Sequence, residues 1–226
     1  MWAHGERASM ASTRTRRFDR LVDSGVVAVM RGMDPDVAIE AVTALHEGGV
    51  TAVEFTADTP GAMGMIREVA GSFDDEVILG AGTVLDGETA RQALLAGAEF
   101  VVSPSLHEDV IEVCNRYAAP TAPGIMTPTE AVRATEAGAD FVKVFPAATV
   151  GPGHLSALKG PLGHVELMPT GGVGLDNAAE FIEAGAICVG AGSALVDDEA
   201  IAAGEFEVLT ETAAAFVAEI EAARGE

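Results

Sequence analysis

Apolar runs of strand length recur along the chain, at 26–31, 52–56, 77–82, 100–103, 119–123, 141–145, 165–169 and 187–190. Between them lie alanine-rich segments whose apolar positions return at helical spacing. This alternation predicts parallel βαβ units. Eight strands, each followed by a helix, predict an α/β fold built as a single (β/α)8 TIM barrel rather than an open sheet. Asp34-Pro35, Thr59-Pro60 and Thr127-Pro128 each offer a capping side chain ahead of a proline suited to the first helical turn. Thr127-Pro128-Thr129-Glu130 and Ser105-Leu106-His107-Glu108 also fit a capping box. The helices are predicted to stop at Gly49, Gly97, Gly138 and Gly185.

Those four glycines open an internal repeat. Gly49-Val50-Thr51-Ala52-Val53-Glu54 is echoed by Gly97-Ala98-Glu99-Phe100-Val101-Val102, Gly138-Ala139-Asp140-Phe141-Val142-Lys143 and Gly185-Ala186-Ile187-Cys188-Val189-Gly190. The spacing of 41 to 48 residues is two βα units, so the repeat marks strands 2, 4, 6 and 8. Glu54 and Lys143 hold the same place in it. Alternate strands of a barrel feed one interior layer, so the two are predicted to face each other across the barrel axis. Parity agrees: Phe141, Lys143 and Phe145 share one strand face, and Ala52, Glu54 and Thr56 another.

Lys143 is one of only two lysines, against eleven arginines, and it lies inside an apolar run. Desolvation disfavours an ammonium and favours the free amine that Schiff-base chemistry on a carbonyl requires. The plainer reading is a lysine snorkelling from a strand end to water. The matched Glu54 tells against it, because a buried pair of opposite charges gives little net stability and more often serves chemistry.

Both residues fall near the carboxyl ends of their strands, where barrel active sites form. The same rim carries Arg31, Gly80-Ala81-Gly82-Thr83, Ser103-Pro104-Ser105 and Pro123-Gly124. Pro169-Thr170-Gly171-Gly172 and Gly190-Ala191-Gly192-Ser193 follow strands 7 and 8. Glycine-rich loops at these two places let backbone N–H groups approach a phosphate. Arg31 and the hydroxyls of Thr83 and Thr170 suit a substrate carboxylate. Glu54 is the group available to move protons. No histidine lies in a predicted strand, and no His/Asp/Glu cluster has metal-ligand spacing, so neither a metal nor a cofactor is expected.

Composition adds a setting. Among 226 residues, 35 are acidic and 13 basic, a net charge of −22. Such a field repels nucleic acid and anionic membrane. With lysine almost absent, it reads as an acidic surface adapted to high salt, where self-repulsion is screened. No apolar run is long enough for a transmembrane helix, no signal-peptide pattern is present, and both cysteines lie in apolar segments. A cytoplasmic, reduced setting is expected. Residues 1–17 form an arginine-bearing stretch without apolar periodicity, expected to be a disordered leader or sequence upstream of a start at Met10; a nucleic-acid-binding arm is the alternative. The barrel domain is expected over 18–226.

At this point the motifs resemble a known family, the class I 2-keto-3-deoxy-6-phosphogluconate aldolases. The likeness runs from about Phe18 to Ile220. It is carried by Val-Val-Ala-Val-Met-Arg (26–31), Val-Glu-Phe-Thr (53–56), Gly-Ala-Gly-Thr-Val (80–84), Pro-Gly-Ile-Met-Thr-Pro-Thr-Glu (123–130), Phe-Val-Lys-Val-Phe-Pro-Ala (141–147) and Pro-Thr-Gly-Gly-Val (169–173). The resemblance implies that Lys143 is the Schiff-base lysine and Glu54 the general acid/base. It implies that Arg31, Thr83, Pro104, Phe145 and Thr170 line a pyruvyl pocket, and that Gly171, Gly172, Gly192 and Ser193 bind phosphate. It further implies a metal-free homotrimer that splits a 2-keto-3-deoxy-6-phospho sugar acid into pyruvate and glyceraldehyde 3-phosphate.

The chain departs from the pattern at Asp58, where many members carry an arginine four residues after the glutamate. The substrate is therefore left open among the gluconate acid, its galactonate epimer and 4-hydroxy-2-oxoglutarate. A phosphosugar isomerase or synthase on the same barrel, and a catalytically silent phosphosugar-binding protein, are the competing readings. Lys143 separates them, since neither needs an imine.

Overall fold

The computed structural model describes residues 12–73 and 75–225. Helix α1 (Thr13–Ser24) comes first, followed by β1 (Val26–Met30), a 3-10 turn at Pro35–Val37 and α2 (Ala38–Glu47). The alternation continues through β2 (Ala52–Thr56), α3 (Ala62–Ser72), β3 (Ile78–Gly82), α4 (Gly87–Ala96), β4 (Phe100–Val102) and α5 (Glu108–Arg116). Then come β5 (Thr121–Ala122), β6 (Gly124–Ile125), α6 (Pro128–Ala137), β7 (Val142–Val144), α7 (Ala147–Val150) and α8 (Pro152–Lys159). The chain closes with β8 (Leu167–Pro169), α9 (Ala178–Glu183), β9 (Val189–Ala191), α10 (Asp198–Ala203) and α11 (Glu207–Arg224).

Each of the eight expected strand positions is occupied, and every pairing is parallel. The ladder is not one continuous ring. It forms a six-stranded sheet in the order β5-β4-β3-β2-β1-β9 and a three-stranded sheet β6-β7-β8. Isolated parallel bridges, Leu167 to Ala186 and Thr170 to Gly190, link the second sheet to the β9 segment. The other break falls at Pro123. Proline has no N–H for the ladder, so the fifth strand divides: β5 pairs with β4 and β6 with β7. Gly124, just beyond, admits the Pro104 carbonyl where a Cβ would overlap it.

Side chains alternate across these strands, and one face turns inward. Val27, Ala52, Ile78, Phe100, Phe141 and Met168 form a buried inner cluster at the amino ends of the strands. Leu21 of α1 belongs to the same cluster, and the Phe18 ring meets Phe141 edge-on at 5.8 Å between centroids. Helix α1 is therefore a plug on the lower mouth of the strand array.

This corrects the expected leader. Residues 1–11 lie outside the described residues, but Thr13–Arg17 is helical and capped by Ser12, whose hydroxyl accepts from the Thr15 N–H. Arg14 is bidentate to Asp140 at 2.7 Å through Nε and Nη2, and Arg17 and Arg20 both reach Glu99. Asp140 and Glu99 sit just ahead of β7 and β4, so these arginines fasten α1 to the amino-end side of the strands. Arg224, at the end of α11, donates to the Val22 and Ile187 carbonyls at the same end.

The capping expectations divide. Asp34 and Thr127 cap as expected, Thr127 with the reciprocal Glu130 contact. Thr59 does not cap α3, whose first turn follows Gly61; its hydroxyl bonds Thr56 and the Gly32 N–H instead. Ser105 makes no capping box, since its hydroxyl meets His107 Nε2 at 2.9 Å and His107 holds the N-cap position. Gly49, Gly97, Gly138 and Gly185 all end helices with φ between 93° and 120°.

Candidate active site

Above the inner apolar cluster, the inward positions change from hydrocarbon to ionisable. Glu54 rises from β2 and Lys143 from β7, with relative exposures of 1% and 4%. Room for the carboxyl comes from β3: a Cβ on Gly82 would press on Glu54 Oε1. Glu54 Oε2 is buried without a hydrogen-bond partner. Lys143 Nζ lies 4.9 Å from the centre of the Phe145 ring, a cation–π distance.

Burial governs both groups. It pushes the Lys143 ammonium below its ordinary value of 10.5; the charge of Glu54 opposes that and Arg31 adds to it. It pushes the Glu54 carboxyl above 4.5, against the pull of Lys143 and Arg31. Each neutral form gains relative to its charged form. The arrangement therefore favours a nucleophilic amine beside a carboxyl that can both give and take a proton.

A cavity of about 480 Å³ opens over Lys143. Arg31, Phe145, Thr170, Gly171, Gly172, Gly192 and Ser193 line it together with Lys143. The structure thus gathers eight of the eleven sequence-derived residues around one space. Three stand apart from that lining. Glu54 is not in the lining but is coupled by charge to Lys143, which is. Thr83 faces Arg31, accepting from Nη2 at 3.0 Å. Pro104 packs against Gly124 on the wall formed by β4 and β6.

Thr170 is shaped for the cavity. Its Oγ1 is buried and unpartnered, and glycine at 190 makes the space for it, since a Cβ there would overlap that oxygen. An orphaned hydroxyl on a cavity wall is costly unless a ligand completes it. The neighbouring Gly171 and Gly172 take φ of 89° and 75°, conformations open to glycine, and bare their backbone to the cavity.

Sequence reasoning missed Asp176 and Asn177, which also line this cavity. Asn177 accepts from the Gly174 N–H and donates to the Gly172 carbonyl, each at 3.0 Å, and so pins the glycine loop. Its position three residues after Gly174 was the available signal, because Asn commonly bonds nearby backbone in loops. The partner of Arg31 was also missed. Arg31 Nη1 donates to Asp58 at 2.9 Å, so the side chain expected to hold a substrate carboxylate already holds a protein one. Among the described residues, no group of three or more His, Cys, Asp or Glu is placed to hold a metal ion, and no helix is long and apolar enough to cross a membrane.

Comparison with known proteins places this geometry. The family model described as KDPG and KHG aldolase matches residues 19–212. A 2-dehydro-3-deoxy-phosphogluconate aldolase of Treponema pallidum is 39% identical over 194 residues, covering 85% of this chain and 92% of its own. A 2-dehydro-3-deoxy-6-phosphogalactonate aldolase of Escherichia coli is 36% identical over 193 residues, covering 85% of this chain and 92% of its own. A KDPG aldolase of Legionella pneumophila, solved with pyruvate captured as a covalent carbinolamine intermediate, superposes with a TM-score of 0.83 at 28% identity, covering 91% of this chain and 98% of that one.

A parallel α/β fold and relatives of this kind define an aldolase, and the protein is a lyase. The chain belongs to the KDPG and KHG aldolase family.

Proposed function

We propose that the protein is a class I aldolase that cleaves 2-keto-3-deoxy-6-phosphogluconate into pyruvate and glyceraldehyde 3-phosphate, with Lys143 as the Schiff-base residue. The observation that carries this reading is the burial of both Lys143 and Glu54 within reach of each other's charge, which favours the free amine and the protonated acid. The capture of pyruvate as a carbinolamine in the Legionella relative supports it.

In this reaction the free Lys143 amine adds to the C2 ketone, and the protonated Glu54 gives up its proton as water is lost, leaving a protonated imine and a Glu54 carboxylate. Glu54, as carboxylate, takes the proton of the C4 hydroxyl. The C3–C4 bond breaks, the aldehyde leaves, and its electron pair passes to the imine nitrogen as an enamine. Glu54, now protonated, returns the proton to C3. Water then hydrolyses the imine, frees pyruvate and the Lys143 amine, and returns the released proton to the Glu54 carboxylate. A carboxyl with a raised pKa suits both steps, since it gives up a proton nearly as readily as it takes one. Thr170 and Arg31 hold the substrate carboxylate, with Thr83 acting through Arg31. Phe145 and Pro104 shape the apolar walls. The backbone of Gly171, Gly172 and Gly192 and the Ser193 hydroxyl receive the phosphate.

Closure of the two sheets into an eight-stranded barrel, a homotrimeric assembly, a cytoplasmic setting and an acidic surface suited to high salt belong to the same proposal. Light scattering in molar salt tests the trimer. The galactonate epimer is the second reading, favoured by the Escherichia coli relative; kcat/KM measured on both epimers decides between them.

Borohydride reduction in the presence of pyruvate, followed by peptide mapping, tests the core of the proposal. A pyruvyl adduct on the Lys143 peptide, abolished in Lys143→Ala, is the expected result. A folded protein that binds sugar phosphate yet traps no pyruvate overturns it.

A further inference from the structure

Arg31 is, among the described residues, the one permanently charged cation on the cavity wall. Among the described residues, Lys143 is the only other basic side chain there, and burial favours its neutral form. Arg31 is not free. Nη1 donates to Asp58 at 2.9 Å and Nη2 to Thr83 at 3.0 Å, so both terminal nitrogens are engaged. Asp58 holds the guanidinium without itself lining the cavity that Arg31 lines. The two side chains are 58% and 53% exposed. A pair so exposed stabilises a fold very little. Its consequence lies in where it stands, beside the only fixed positive charge that the described residues place on this cavity wall.

We propose that Asp58 is a positioning and specificity-determining residue that tempers the charge of the site: it fixes the Arg31 guanidinium together with Thr83 and weakens its pull on anionic ligands. The proposal rests on the aldolase reading above. An anion arriving at Arg31 meets a guanidinium whose two outer nitrogens are shared, and a carboxylate in contact with it that repels the newcomer. One unit charge a side chain away, in a half-hydrated setting, changes anion affinity roughly three- to tenfold at low ionic strength. The Debye length is about 3 Å in molar salt, so the difference contracts towards unity there. The site therefore discriminates by ligand charge, and does so least at high ionic strength. Asp176 on the same wall adds to that discrimination.

The test uses the full chain as wild type, Asp58→Asn and Asp58→Ala, in the condensation direction. Half-saturation is measured for pyruvate, for glyceraldehyde 3-phosphate and for uncharged glyceraldehyde. Each is run in molar salt and at the lowest salt at which circular dichroism shows all three proteins folded. In Asp58→Asn, which keeps an oxygen for Arg31, half-saturation for the two anions is expected to fall roughly three- to tenfold at low salt and to converge with wild type in molar salt. Glyceraldehyde is expected to be unmoved, and kcat to shift less than KM. Asp58→Ala, which also releases Arg31, is expected to show the same fall in KM with a lower kcat than Asp58→Asn. The inference is overturned if anion half-saturation rises or stays put in both variants, or if neutral glyceraldehyde shifts equally. Borohydride trapping of pyruvate on the wild type, done first, reports on Lys143 alone, so failure of the aldolase reading is told apart from failure of the Asp58 inference.

Discussion

Glu54→Gln tests the electrostatics of the buried pair through stability as well as turnover. Glutamine keeps the shape and removes the charge. Glu54 is 1% exposed and its Oε2 has no hydrogen-bond partner. Burial raises its pKa above 4.5. A group whose folded pKa is raised contributes stability that is fully present below the unfolded pKa and is lost as pH rises through the folded value. Wild type therefore carries a penalty at high pH that the variant lacks. An unsatisfied buried polar group costs about 1–3 kcal/mol, more when charged. For a domain of this size 1 kcal/mol moves Tm by about 2–4 °C. Glu54→Gln is therefore expected to melt at least about 2 °C above wild type at pH 9, with the difference shrinking towards pH 4. Over the same range turnover falls about 10²–10⁴-fold, the usual contribution of a positioned acid or base. Scanning calorimetry at several pH values, in molar salt, measures the first effect and initial rates the second. If the variant is instead destabilised by about 3–5 kcal/mol at neutral pH, the cost of stranding a buried ammonium, then the resting pair is ionic and the reasoning from burial is wrong.

Three further outcomes are expected. Gly190→Ala drives a methyl against the Thr170 side chain; it should cost about 1–3 kcal/mol of stability by overpacking and raise KM more than any change at an exposed position, as denaturation and initial rates would report. Phe141→Ala empties the inner cluster under α1 and should cost about 3–5 kcal/mol in chemical denaturation, while pyruvate trapping on the folded fraction persists. Burial pushes the Cys114 thiol up to about 11 and the Cys188 thiol up to about 12, so neither should react with iodoacetamide at pH 8 until the protein unfolds; fast labelling of the native protein would contradict that burial.

Much of this fold was legible because its signals are local. An apolar run of strand length and a glycine that must take positive φ report on their own neighbourhoods, and Glu54 and Lys143 could be paired because the repeat set them at equal depth. Contacts that join distant segments were not legible. Nothing near Arg14 in the sequence announces Asp140, and nothing near Arg31 announces Asp58; each pairing exists only once the strands are laid side by side. Thr59-Pro60 shows the same limit, since its hydroxyl had a better offer from Thr56 and the Gly32 amide. The interruption of the fifth strand was written in Pro123 itself and could have been anticipated from the missing donor.

The fastening of α1 and of Arg224 at the lower mouth has a practical corollary. Arg14, Arg17 and Arg20 at one end of the described chain and Arg224 at the other anchor on the same face, remote from the cavity at the strand carboxyl ends. A reporter, an affinity handle or a tether to a solid support joined directly ahead of Ser12 or after Gly225 would depart from the amino-end side of the strands. The protein can thus be immobilised or fused with its substrate entrance turned outward.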